Sequence, residues 1–157
     1  MSEHGEQSAL FTWSKYWETH IPELTCMFAI PNAQKFGTAS KQQKIHTINR
    51  MKNEGLQPGI PDICLPLAIE IHPRLRGILF IEMKYGKNKA SENQVAMAET
   101  QAKFGNSVYL ATNWKDAAKV ILDHVATYRI QTSPVPQLQD LERAAESLKE
   151  YDGPVKP

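Results

Sequence analysis

Three side chains in this 157-residue chain have the types and spacing to act on a phosphate: Asp62, Glu82 and Lys84. Side chains two apart on a strand share a face, so Glu82 and Lys84 stand beside Phe80, while Ile81, Met83 and Tyr85 face the other way. Charged groups then occupy positions where alternation calls for partners of the apolar Phe80. Asp62 follows the rigid turn Gln57-Pro58-Gly59-Ile60-Pro61 and opens a strand of its own, and a hairpin brings its carboxylate beside Glu82. Two hard oxygen ligands suit Mg²⁺, which keeps water and takes a phosphate oxygen in its remaining positions. Such a cation lowers the pKa of a bound water and neutralises charge developing on phosphorus, while the lysine orients or deprotonates that water. A Glu-x-Lys pair by itself is more often a surface ion pair contributing at most about 1 kcal/mol, so the surrounding elements have to carry the specificity.

Leu10, Trp13, Trp17 and Ile21 recur at intervals of three and four, which predicts an amphipathic helix over about residues 4–20, with Glu6 on the same inward stripe. Taken alone, Glu6 reads as a first-turn acid that suits the helix dipole. Leu24 to Ile30 reads as a short strand closed by Pro31, and 32–38 as a loop. A second helix is expected over about 39–54, with Ile45, Ile48 and Met51 buried, a stop at Gly55 and Leu56 as the apolar contact of the helix-ending motif. Strands follow at Asp62 to about Leu67 and at Ile78 to Tyr85, separated by a loop with Pro73 and Gly77. After a lysine-rich turn, Ser91 starts a helix with Gln94 as its capping-box partner, ending at Gly105. A strand at Ser107–Ala111 and a helix over about 114–128 capped by Asn113 complete an α/β core with helices before, between and after the strands. Beyond Arg129 the composition changes, and residues 131–157 read as a tail with a short acidic helix over 137–150. That helix, with Leu138, Leu141 and Leu148, is either a docked appendage or a partner-binding segment.

The composition is that of a globular chain, with 41% hydrophobic and 22% charged residues, and its length suits one domain. The net charge of +1 hides local contrast. Residues 1–23 hold four carboxylates and one lysine; residues 32–53 hold Lys35, Lys41, Lys44, Arg50 and Lys52 with no acid; residues 137–153 hold five acids against Arg143 and Lys149. A local basic stretch is what phosphate binding requires, and it is equally what a solvated helix face looks like. The five histidines share no metal-ligand spacing, and Cys26 and Cys64 form no zinc pattern but sit in apolar runs, as small buried hydrophobes do. No phosphate loop, nucleophile elbow or dinucleotide fingerprint is present. The polar, acidic N-terminus and the lack of any long apolar run predict no export and no membrane partner, and the two cysteines within apolar runs fit a reducing, cytoplasmic location.

The string GIPDI at 59–63 followed by FIEMKYG at 80–86 resembles the virus-type replication-repair nucleases (VRR-Nuc), a branch of the PD-(D/E)xK nucleases. The resemblance spans about residues 6–128. It takes in Glu6-Gln7, Ala29-Ile30-Pro31-Asn32, Glu54-Gly55, Ile81-Glu82-Met83-Lys84, Ser91 with Gln94, and Gly105 to Tyr109. It implies a restriction-endonuclease-like fold, a central mixed sheet flanked by helices, over residues 1–130. It also implies a Mg²⁺-dependent DNA endonuclease, with Mn²⁺ able to substitute, that hydrolyses a phosphodiester to leave a 5′-phosphate. By the resemblance Asp62, Glu82 and Lys84 are motif residues, Glu6 a further active-site acid and metal ligand, Gln94 a polar group lining the site, and the Met83 carbonyl an additional metal ligand. Where the family often has glycines and then an arginine, Ala33, Gln34 and Lys35 follow Asn32. The DNA-contacting residues expected are Asn32, Lys35, Lys41, Lys44, Arg50, Lys52 and Lys87. Similarity to the stand-alone phage and bacterial members implies a homodimer acting on branched DNA such as a four-way junction, in the cytoplasm of a bacterial or phage-infected cell. Three alternatives stay open: a sequence-specific restriction-type enzyme, a monomeric flap or single-strand nuclease, and a DNA-binding module without catalysis.

Overall fold

A computed structural model describes residues 2–31, 40–72, 75–86 and 88–150. Ser2 caps the first helix, α1 (Glu3–Trp17), and the three-and-four spacing buries Glu6, Ala9, Leu10, Trp13 and Trp17 on one face. The segment expected as a strand from Leu24 is instead a 3-10 helix, Pro22–Cys26, followed by a two-residue strand, β1 (Phe28–Ala29). Pro22 at its start and Leu24 and Met27 three apart explain the difference, because a three-residue repeat sends both side chains into the core. The remaining elements are α2 (Lys41–Asn53), β2 (Ile63–His72), β3 (Leu75–Met83), α3 (Glu92–Lys103), β4 (Ser107–Ala111), α4 (Trp114–Thr132) and α5 (Gln139–Glu150).

The sheet has the order β1-β2-β3-β4, with antiparallel β1/β2 and β2/β3 pairs and a parallel β3/β4 pair joined through α3. Both hairpin strands run further toward their shared turn than their sequence suggests, and Gly77 lies inside β3, opposite Ile69, instead of in a loop. A Cβ there would stand 1.7 Å from the Gly105 carbonyl oxygen, so this glycine answers a close backbone approach and not a turn. The β2–β3 register shifts between Leu65 and Ile69, around Pro66, which has no N–H to give the ladder.

Alternation divides the sheet. Ile63, Leu65, Leu67, Leu79, Ile81 and Met83 join the core with α1 and α4, whose Ile121, Leu122 and Val125 are buried. The expected boundary near residue 130 falls inside α4, and α5 packs Leu141, Ala144 and Leu148 into the same core. Arg129 anchors that junction through a bidentate pair with Glu23, at 2.6 and 2.7 Å, and a 2.5 Å bond to the Gln137 carbonyl. The expected burial of Ile45, Ile48 and Met51 does not occur: no residue of α2 is buried, and Ile45 is 50% exposed. Its helix-ending motif is present, with the Gly55 N–H donating to Lys52 O and the Leu56 N–H to Met51 O. Among the described residues no helix is long and apolar enough to cross a membrane.

Candidate active site

Glu82 and Lys84 emerge from the C-terminal end of β3 on the face opposite the main core. The ladder pair Ile63–Ile81, continued by one step, sets Asp62 across from Glu82. Asp62 sits at the bend immediately before β2, and its Oδ2 accepts a 2.9 Å hydrogen bond from the Met83 N–H. Gly59 fixes the approach of this turn. Its φ is +77°, and a Cβ would lie 2.2 Å from Asn93 O in the first turn of α3. Only glycine fits both constraints, so the turn bearing Asp62 is pressed against the helix bearing Gln94.

Gln94 is the hub. Its Oε1 accepts from the Ser91 N–H at 2.9 Å, closing the capping box, and from Lys84 Nζ at 3.0 Å, while its Nε2 donates to Glu82 Oε1. Lys84 Nζ also lies 2.9 Å from Glu82 Oε1. One carboxylate oxygen therefore takes the amine and the amide together, and the other, Oε2, is buried with no hydrogen-bond partner among the described residues. Burial pushes the Glu82 carboxyl up to about 7; the Lys84 hydrogen bond opposes the shift, and the negative charges of Asp62 and Glu3 add to it.

A buried, unpartnered carboxylate oxygen beside a second carboxylate fits a divalent cation, because an oxygen-seeking ion supplies the missing partner and offsets the repulsion. Among the described residues no three His, Cys, Asp or Glu side chains gather as a metal cluster. The donors that fit are the Asp62 and Glu82 carboxylates, a sparse pair of the kind Mg²⁺ completes with water and phosphate oxygens.

Glu6 is buried as its stripe requires, but its Oε2 accepts from the Trp114 N–H at 2.8 Å, at the start of α4. It stitches α1 to the first turn of α4 and suits that helix's dipole. The acid of α1 whose charge reaches Glu82 is Glu3, held by Asn88 Nδ2 at 3.1 Å. Sequence reading passed over Glu3. It lies one turn before Glu6 on the same stripe, and the N-cap Ser2 is the signal that makes it a helical, inward-leaning position.

Lys41, Lys44 and Lys52 make no ion pair among the described residues, whereas Arg50 lies 3.6 Å from Glu54. Asn32, Lys35 and Lys87 lie outside the described residues. A cavity of about 170 Å³ is lined by Glu82 and Gln94 and by the apolar Pro61, Val95, Ala98, Val108 and Leu110. A second, of about 380 Å³, adjoins it through Gly59 and Gln94 and runs between α2 and α3.

No protein-family model matches the sequence, and no curated protein matches it. Among solved structures, one described as a VRR_NUC domain protein is similar, with a TM-score of 0.60 and 20% sequence identity, over 81% of this chain and 90% of that one. An identity this low speaks for the fold alone, and it is the fold that the resemblance implied: this chain is folded as a VRR_NUC domain.

Proposed function

We propose that the chain is a divalent-metal-dependent DNA endonuclease selective for branched DNA. The observation that carries this reading is the buried Glu82 carboxylate, within reach of Asp62's charge, with one oxygen unpartnered among the described residues and the other bound to Lys84 and Gln94. Asp62, Glu82 and the Met83 carbonyl would hold Mg²⁺ or Mn²⁺. The bound cation supplies a water of lowered pKa and neutralises charge on the phosphoryl group. Lys84, on the same face, would hold a positive charge near the attacked phosphate and orient the water, whose proton leaves to solvent. Gln94 holds the lysine amine through its Oε1 and the Glu82 carboxylate through its Nε2, which limits how far either has to reorganise during reaction. Water's hydroxyl joins phosphorus, the bond to the 3′-oxygen breaks and that oxygen takes a proton, leaving a 5′-phosphate.

Each chain carries one Asp-Glu-Lys set, so paired incision across a junction calls for two copies about a two-fold axis. The experiment is incubation with Mg²⁺ or Mn²⁺ and linear, flapped, single-stranded and four-way-junction DNA, with cut mapping and sedimentation equilibrium at micromolar protein. Symmetric cuts on the junction and a dimer mass are expected. One-sided nicking by a monomer would replace the junction reading with the flap nuclease, and failure to cut any substrate would leave a binding module.

A further inference from the structure

Asp62, Glu82 and Lys84 do not line the larger cavity, which Gln94 joins to their site. Its volume of about 380 Å³ lies in the range of small-molecule sites, about 300–1,000 Å³, whereas the smaller cavity beside Glu82, at about 170 Å³, lies below it. One side is apolar, formed by Ile48, Leu56 and Pro58; the rest is polar, with Lys52, Gln57 and Asn93. The side-chain amides of Gln57 and Asn93 have no hydrogen-bond partner among the described residues, and Lys52 has no ion pair among them. Gly59 and Gln94 belong to both cavities, so whatever occupies the larger one is next to Glu82. Its α2 wall buries no residue completely, which leaves that helix's apolar side chains waiting for a surface.

We propose that the cleft between α2 and the start of α3 is a subsite for one unpaired nucleotide flanking the scissile phosphate. The proposal rests on the nuclease reading. An extruded base needs an apolar face to lie on and amide groups for its pairing edge, and the cleft offers both, with Lys52 placed for the adjoining phosphate. The subsite also accounts for selectivity. In an intact duplex the base has to be unstacked and unpaired before it can enter, whereas beside a branch, where continuous stacking is interrupted, that cost is smaller. Preference for branched DNA then comes from one pocket, with no contact to the branch itself.

The test uses 2-aminopurine, a fluorescent base quenched by stacking, placed in turn on either side of a mapped cut and at a control position several nucleotides away. It is bound to the Glu82→Gln protein so that the substrate survives, with anisotropy reporting binding. A several-fold rise in fluorescence at one flanking position, absent at the control, is expected. Ile48→Glu with Asn93→Ala should remove that rise and lower the ratio of branched to duplex cleavage at least fivefold; circular dichroism checks folding, which these incompletely buried positions should not disturb. Normal binding and cleavage with no rise at either flanking position would overturn the subsite and leave the nuclease standing. Absence of cleavage by the wild-type protein on every DNA would overturn both.

Discussion

On one face of the sheet, Ile63, Leu65, Leu79, Ile81 and Met83 meet α1 and α4 in a core that excludes water. On the other, Glu82, Lys84 and Asp62 meet α3, which buries none of its residues completely, and α2 stands beyond it with none buried either. The strands are the same and alternation alone separates the two environments. The apolar face has many redundant contacts, whereas the polar face has few, each specific: one glycine against one helix turn and one glutamine spanning a lysine and a carboxylate. Stability should therefore answer to substitutions on the first face and activity to substitutions on the second.

Lys84→Ala should break the comparison most sharply, lowering metal-dependent cleavage by about 100-fold or more with the melting temperature nearly unchanged, because the amine acts mainly on developing charge. Activity above a tenth of wild type would remove Lys84 from the site. Ile121→Ala, on the apolar face, should cost about 2–5 kcal/mol in urea unfolding and leave the rate per folded molecule intact. Gly59→Ala tests the join between the faces: the 2.2 Å clash and the positive φ should displace the Asp62 turn, so that activity falls more than stability.

The pH dependence sharpens the same contrast. Glu82, raised to about 7 from 4.5, binds its proton more tightly in the folded state, so its contribution to stability is present below about 4.5 and is lost as pH rises toward 7. His124, whose ring is pushed down by burial although its hydrogen bond to the Leu67 carbonyl opposes this, works in the opposite sense and loses stability as pH falls below 6.5. Glu23 is pushed up by burial, but the Arg129 bonds outweigh this and hold it low, so it too favours folding at higher pH. The measurement that isolates Glu82 is the difference in melting temperature between wild type and Glu82→Gln without metal. The advantage of the glutamine variant should grow between pH 5 and 7 and then level, and a flat difference would contradict the buried charge. The smallest effect is electrostatic: replacing Lys41, Lys44 and Lys52 together with alanine should reduce the salt slope of DNA binding by up to about one unit per lost phosphate contact. An unchanged slope would place the DNA on another face.

Much of the polar face was legible because local signals coincide there. The Pro-Asp turn, the Glu-x-Lys alternation and the Ser91–Gln94 capping box each have a short-range cause, and the hairpin register brings them together. What escaped depends on partners far along the chain. Glu6 and Glu3 share a helical stripe, and only the position of the α4 N-terminus decides that Glu6 binds Trp114 while Glu3 leans toward Glu82. Leu138, Leu141 and Leu148 leave a docked appendage and a partner-binding segment both open, and it is Arg129, bound to the Gln137 carbonyl, that ties this helix to the core. The stripe of α2 predicted burial that the fold does not provide, since that helix borders an open cleft.

The central claim is that the polar face holds a divalent cation for phosphodiester cleavage, and the most direct measurement is Mn²⁺ titration by calorimetry, paired with cleavage, of wild type and Glu82→Gln at pH 8. The account predicts saturable Mn²⁺ binding and cleavage in the wild type and loss of both in the variant, with the fold retained by circular dichroism. Equal Mn²⁺ binding and equal cleavage by the two proteins would contradict it.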